Sequence, residues 1–241
     1  MRRMGSPQAT APVVFIPSLG RPGTDYDSLV EALTGEGFEA FAIDPPASMP
    51  GEPTLHALVA EIITELDSSG IDQVHLVGHA FGNRVVRCVV ADRPERVRSM
   101  TLLAAGGYVD IADDVLAHLW SCFDTTLPRD EHLAHVQAAF FAPGNDPAPW
   151  RRGWKATIAR YQTAAVQRTN RDDWWDAVAD PTLVIQGLQD VIAVPENGRR
   201  FQADHPDQTQ LVEIDGAGHA LVPEQPEAIL AALVPFLRAA D

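Results

Sequence analysis

The feature that most constrains the fold is an alternation between short apolar runs and longer stretches of helical periodicity, repeated along most of the chain. Apolar runs of this length are typical of buried strands, and the helical stretches between them predict right-handed crossovers. The sequence therefore predicts an α/β fold with a mainly parallel sheet of about six strands and helices on both faces. The apolar runs lie at residues 13–16, 38–43, 74–77, 100–104, 182–185 and 210–214.

The alternation is interrupted between residues 105 and 181, where the pattern is helical and no strand is predicted. We interpret residues 107–175 as a helical cap inserted into a core formed by residues 1–106 and 176–241. Because open parallel sheets bind ligands at their carboxyl edge, we expect the cap to cover that edge. All five tryptophans fall in the interrupted region, and we expect some to pack the cap on the core and others to line a pocket.

Charge and cysteine content argue against several classes of partner. The chain has 33 acidic and 18 basic residues, a net charge of −15, which disfavours nucleic acids and acidic membrane surfaces. Residues 1–7 carry no apolar stretch of the kind a signal peptide needs, and no apolar run is long enough to span a bilayer. Cys88 and Cys122 lack metal-ligand spacing, so we expect free thiols in a cytoplasmic protein.

The pentapeptide Gly78-His79-Ala80-Phe81-Gly82 carries the strongest functional signal. It follows a predicted strand and precedes a predicted helix, which is the context of a G-x-S-x-G nucleophile elbow. The turn in such an elbow is so sharp that its central residue is strained and a Cβ on either flanking residue would collide with a neighbouring element. Both glycines and the context are present here, but Ala80 occupies the place of the serine.

Two polar residues follow later strands in the order that an elbow serine requires. Asp190 comes just after the run at 182–185, and His219 comes just after the run at 210–214. An elbow nucleophile is followed along the chain by its acid and then by its histidine base. Because all three positions follow parallel strands, we expect them to meet at one edge of the sheet.

These motifs resemble the α/β-hydrolase superfamily over nearly the whole chain. The resemblance implies that Asp190 is the acid of a catalytic triad and His219 its base. It also implies that the backbone N–H groups of Leu19 and Phe81 form an oxyanion hole, and that no metal or organic cofactor is needed. The chain departs from many members by carrying Pro17-Ser18 where they have His-Gly, and by lacking the opening antiparallel hairpin.

Three interpretations of Ala80 remain open, because a methyl group has no lone pair for attack on a carbonyl. The one we favour is a Ser→Ala replacement in a hydrolase of carboxylic esters or lactones, which binds its substrate and barely cleaves it. The second is a natural ligand-binding receptor on a hydrolase scaffold. The third is an enzyme that uses the Asp190–His219 pair as a general base. A serine triad would also serve C–C bond hydrolysis of diketones.

The aromatic residues of the cap favour a small apolar ester or lactone, including ring-containing ones, as the substrate. Our candidates for substrate-binding residues are Tyr108, Trp120, Trp150 and Trp154. His132 and His135 share a helix face, but no recognised metal spacing joins them to acidic residues, so no metal site is predicted.

Overall fold

A computed structural model describes residues 11–241 and contains one six-stranded sheet. Every pair of neighbouring strands is parallel, and the strand order is 2-1-3-4-5-6. The parallel α/β sheet predicted from the alternation is thus confirmed. The strands are β1 (Val13–Ile16), β2 (Ala40–Ala42), β3 (Val74–His79), β4 (Val97–Leu103), β5 (Thr182–Gly187) and β6 (Thr209–Ile214).

Nine α-helices surround the sheet within the described part of the chain. The side chain of Thr54 accepts a hydrogen bond from the Ala57 amide and so caps the second helix. The helices are α1 (Asp27–Gly35), α2 (Leu55–Ser68), α3 (Phe81–Asp92), α4 (Asp113–Ser121), α5 (Arg129–Phe140), α6 (Ala156–Arg168), α7 (Glu196–Asp204), α8 (Leu221–Glu224) and α9 (Pro226–Ala240).

Both faces of the sheet are buried because successive side chains of a strand point to opposite faces. In β1, Val14 and Ile16 belong to the apolar cluster that includes residues of α2 and α3. Val13 and Phe15 belong to the cluster on the other face, with residues of α1 and α9. This two-sided burial explains why the strands are continuous apolar runs, and it holds their carboxyl ends in fixed positions.

The connection between β4 and β5 contains α4, α5 and α6 and, among the described residues, no strand. A third apolar cluster joins residues of α4 and α5 to Ile192 and Ala220, which follow β5 and β6. These helices therefore pack over the carboxyl edge of the sheet. The division into a core and a cap at residues 107 and 175 stays a prediction.

No helix within residues 11–241 is both long enough and apolar enough to cross a membrane. The absence of a signal peptide was predicted from residues 1–7, which lie outside the described part of the chain.

Candidate active site

Ala80 lies in the sharp turn between β3 and α3. Its backbone has φ 52° and ψ −103°, a conformation that costs a residue with a side chain about 1–3 kcal/mol. A Cβ on Gly78 would lie 2.7 Å from the backbone of Gly82, and a Cβ on Gly82 would collide with the carbonyl oxygen of Ile16. Both flanking glycines are thus sterically required, as the elbow prediction states.

Asp190 and His219 meet next to this turn. The Nδ1 atom of His219 lies 2.9 Å from Oδ2 of Asp190, and both side chains are buried. The other carboxylate oxygen, Oδ1, accepts hydrogen bonds from the amides of Ile192 at 2.9 Å and Ala193 at 2.7 Å. The carboxylate is therefore held in one orientation, and it fixes the histidine ring with Nε2 as the nitrogen left for proton transfer.

Leu19 and Phe81 border the same cavity as Ala80. On either side of Leu19, the Ser18 amide donates to the hydroxyl of Tyr26 at 3.2 Å, and the Gly20 amide donates to Oε1 of Gln162 at 2.8 Å. Within residues 11–241, neither the Leu19 nor the Phe81 amide has an acceptor. Two unpaired N–H groups beside the elbow are what an oxyanion would require.

His79 is buried beneath the elbow and connects the loops of the site. Its Nε2 lies 2.8 Å from the carbonyl oxygen of His219 and must donate to it, so Nδ1 accepts from the hydroxyl of Tyr26 at 2.8 Å. Burial lowers the pKa of His79 to about 3, and the nearby His219 adds to this effect, so the ring is neutral at pH 7. Sequence reasoning did not identify Tyr26 as the partner of His79.

A cavity of about 650 Å³ opens above Ala80 and His219. Such a volume accommodates a small organic ligand. Trp120 lines it, as predicted, with 41% of its surface exposed. Most of the remaining wall is aliphatic or aromatic, formed by residues including Ile111, Leu116, Leu119, Phe123, Phe140, Val166 and Ile192.

Three of the predicted substrate-binding residues are not among those that line this cavity, and a role for them in substrate binding stays a prediction. Trp150 and Trp154 are buried against the guanidinium of Arg21, whose Cζ lies 4.5 and 4.4 Å from the two ring centroids. Tyr108 packs on Trp175 with ring centroids 4.8 Å apart, and its hydroxyl donates to Asp204 at 2.6 Å. These rings are engaged in packing.

Arg84 also lines the cavity, and sequence reasoning missed it. Its position in the sequence could have identified it, because Arg84 lies four residues after Ala80, in the first turn of the helix that follows the elbow.

The two histidines considered as metal ligands have separate partners. His132 donates through Nε2 to the carbonyl of Cys122, whereas Nδ1 of His135 lies 2.8 Å from Nδ1 of His118. Elsewhere, ligand atoms of His56, Cys88 and Asp92 lie within 4.8 Å of one another. None of these three residues borders the cavity.

The parallel α/β sheet carries at its carboxyl edge a strained turn at Ala80 and an ordered Asp190–His219 pair. The sequence matches the Alpha/beta hydrolase family over residues 13–232. The chain therefore belongs to the alpha/beta hydrolase family.

Relatives of known name agree with this membership. A protein from Pseudomonas savastanoi pv. phaseolicola named as a carbamate hydrolase (RutD) is 28% identical over 235 residues, covering 89% of this chain and 85% of its own. A protein from Mycobacterium tuberculosis named as a non-heme bromoperoxidase (BpoC) is 26% identical over 244 residues, covering 93% of each chain. These names support hydrolytic chemistry in general.

Solved structures share the fold. The crystal structure of BpoC from M. tuberculosis H37Rv has a TM-score of 0.77 and 23% identity, covering 96% of this chain and 93% of that chain. A thermophilic esterase from Thermogutta terrifontis also has a TM-score of 0.77, with 20% identity and coverage of 95% and 90%.

Proposed function

We propose that this protein is built as a hydrolase of carboxylic esters or lactones and that, with alanine at position 80, it binds such substrates and barely cleaves them. The observation that carries the proposal is the strained backbone of Ala80 beside an ordered Asp190–His219 pair. A residue with a side chain stays at φ 52° only when the surrounding structure imposes it. The imposed conformation is the one that a nucleophile elbow requires of its central residue.

With serine at position 80, the chemistry would be acyl transfer to water. The hydroxyl oxygen would attack the substrate carbonyl while Nε2 of His219 takes the hydroxyl proton. The Leu19 and Phe81 amides would hold the carbonyl oxygen as it becomes negative. His219 would then give the proton to the leaving alcohol, which leaves the acyl group on the serine. A water molecule would next lose a proton to His219 and attack this acyl group, and the serine would recover the proton as the acid is released.

Alanine removes the first of these steps and leaves the rest of the site. Loss of the nucleophile of a serine hydrolase lowers turnover by about 10⁶-fold, and the remaining rate comes from the oxyanion hole and from binding. The apolar wall of the cavity favours a substrate with an apolar body, including a ring. A carbamate is an acyl derivative cleaved by the same chemistry, and the name of the RutD relative adds it to the substrates to test.

Two other interpretations have support from particular observations. Ala80 itself favours a natural ligand-binding receptor on this scaffold. The Asp190–His219 pair, whose Nε2 has no hydrogen-bond partner among the described residues, would suit a general base acting on a bound water. C–C bond hydrolysis of diketones is the alternative for the serine form, because the same triad serves it.

The first prediction tests the hydrolase proposal by adding the missing oxygen. We expect Ala80→Ser to raise hydrolysis of p-nitrophenyl acetate by roughly 10⁴–10⁶-fold over the starting protein. Adding His219→Ala should abolish the gain because the serine needs the imidazole to accept its proton. Adding His56→Ala, a change of an exposed histidine outside the cavity, should preserve it. Initial rates of the four proteins are compared at one pH.

The substrate panel should contain aryl esters, lactones, an aryl carbamate and a vinylogous diketone. Selective cleavage of the diketone would favour the C–C hydrolase. If Ala80→Ser stays at background on the whole panel while the protein still binds these compounds, the hydrolase proposal fails and the receptor takes its place.

A further inference from the structure

We propose that Arg84 binds a carboxylate of the substrate, so that the ligand of this cavity is a monoanion with an apolar body and one carboxylate beside the ester or lactone group. The inference rests on the proposed function for the bond that would be cleaved, and it adds a second recognition element to the same cavity.

The position of Arg84 gives the first argument. It lies on α3 one turn beyond Ala80, and it borders the cavity together with Ala80 and His219. Because α3 begins directly after Ala80 and both residues border one cavity, a ligand over Ala80 is within reach of the guanidinium.

The missing partner of Arg84 gives the second argument. Its side chain is partly buried, yet among residues 11–241 no carboxylate lies within 4.0 Å of the guanidinium, and no acceptor receives a hydrogen bond from it. A guanidinium carries five N–H donors and always keeps its charge. A guanidinium that borders a cavity without a counter-ion can pair with an anionic ligand, which gains affinity from the charge-assisted hydrogen bonds.

Aromatic rings cover the buried guanidinium groups of Arg21 and Arg87. Arg21 pairs with Asp25 at 2.7 Å, and the rings of Trp150 and Trp154 cover it. Arg87 lies 4.4 Å from the ring centroid of Trp175, although its Nε and Nη2 atoms are buried without a hydrogen-bond partner among the described residues. Within the described part of the chain, Arg84 has neither an ion pair nor an aromatic ring over it.

The charges around Arg84 favour an anion of single charge. Burial lowers the pKa of Arg84, and the nearby positive charge of Arg171 lowers it further. Asp110 and Asp113 also border the cavity but are exposed to water. They oppose a second negative charge, so a carboxylate fits better than a phosphate dianion, and its two oxygens match the fork of the guanidinium.

Binding to the Ala80 protein tests the inference without any catalysis. The probes are benzyl hydrogen glutarate and its neutral analogue benzyl methyl glutarate, with inorganic phosphate as a third ligand, all measured by calorimetry. We expect the monoanion to bind about tenfold or more tightly than the neutral diester, and phosphate to bind more weakly than the monoanion. Arg84→Gln should bring the ratio of the two glutarate affinities to about one, and Arg84→Lys should retain part of the preference.

Arg93→Gln is the matched control, because this substitution removes the same charge. Arg93 is exposed and lies at the far end of the same helix. It should leave the preference unchanged. Equal binding of the two glutarates, or an unchanged ratio in a folded Arg84→Gln protein, overturns the inference. Hydrolysis of neutral p-nitrophenyl acetate by Ala80→Ser is measured in a separate experiment. An inactive serine variant would contradict the hydrolase proposal but would not affect the comparison of the two glutarate affinities.

Discussion

Adjacent residues 79 and 80 act on opposite sides of the elbow. Ala80 borders the cavity, whereas His79 is buried below it and hydrogen-bonded to Tyr26 and to the backbone of His219. Because the His79 ring is neutral, it donates through one nitrogen and accepts through the other. Through Tyr26, which accepts a hydrogen bond from the Ser18 amide, it therefore connects the loop of Leu19 to the loop of His219 without adding a positive charge there.

The second prediction concerns the protonation of His79. Its pKa of about 3 predicts that the ring stays neutral between pH 8 and pH 5. Its ¹⁵N chemical shifts should stay constant over that range, as read by long-range ¹H–¹⁵N NMR. His56 is the internal control, because hydrogen bonding to Asp92 raises its pKa and its shifts should change. A His79 ring that titrates above pH 6 would contradict the assigned hydrogen bonds.

The same pKa sets the sign of a stability change. His79 has a pKa near 3 in the folded protein and near 6.5 in the unfolded chain, so the unfolded chain binds the proton first as pH falls. The free energy of unfolding should therefore decrease below about pH 6.5, by up to about 1.4 kcal/mol per pH unit. His75, whose pKa is lowered mainly by burial, adds a change of the same sign. The raised pKa of the largely exposed His56 opposes it weakly.

At the scale of elements, the site depends on how closely α3 approaches β1. Gly82 lies against the carbonyl group of Ile16 at the end of β1, and this contact brings the Phe81 amide to the same space as the Leu19 amide. The proposed oxyanion hole would therefore depend on packing between a helix and a strand.

The third prediction tests this packing with two Gly→Ala changes. Gly82→Ala should destabilise the fold by at least about 3 kcal/mol, because its Cβ would collide with backbone that cannot move freely. Gly35→Ala is the matched control, since it lies in α1 and its Cβ would meet nothing within 4 Å. It should stabilise the protein by about 0.5–1 kcal/mol. Urea unfolding measures both, and equal effects would contradict the steric argument.

Sequence reasoning succeeded where position follows from local pattern. The strand ends before Ala80, Asp190 and His219 could be read from short apolar runs, and parallel strands then placed the three residues at one edge. It could not place Trp150 and Trp154, because residue type alone does not say which side of a ring faces a cavity. Their position depends on Arg21, far away in the sequence.

At the scale of the whole molecule, the dominant feature is the net charge of −15. Charge of one sign repels itself in a compact fold and destabilises it. The ion pairs on the surface compensate only in part, because exposed pairs contribute little. Arg84 is thus a local positive group in a molecule whose overall field is negative, and recognition of an anion there depends on short-range contact.

The fourth prediction tests the self-repulsion of the acidic surface. Raising NaCl from 0.01 to 0.2 M should increase the midpoint of thermal unfolding at pH 7, because the Debye length shrinks from about 30 Å to below 10 Å and screens the repulsion. The control is the same salt series at pH 4.8, the isoelectric point of the sequence, where the net charge is near zero and the increase should vanish. Differential scanning calorimetry measures both series.

The quantity compared is the slope of the unfolding midpoint against NaCl concentration. The destabilisation expected from His79 in acid lowers the midpoint at pH 4.8 by a similar amount at every salt concentration, so it does not change that slope. Equal slopes at the two pH values would show that the salt acts through something other than net charge, and the self-repulsion argument would then fail.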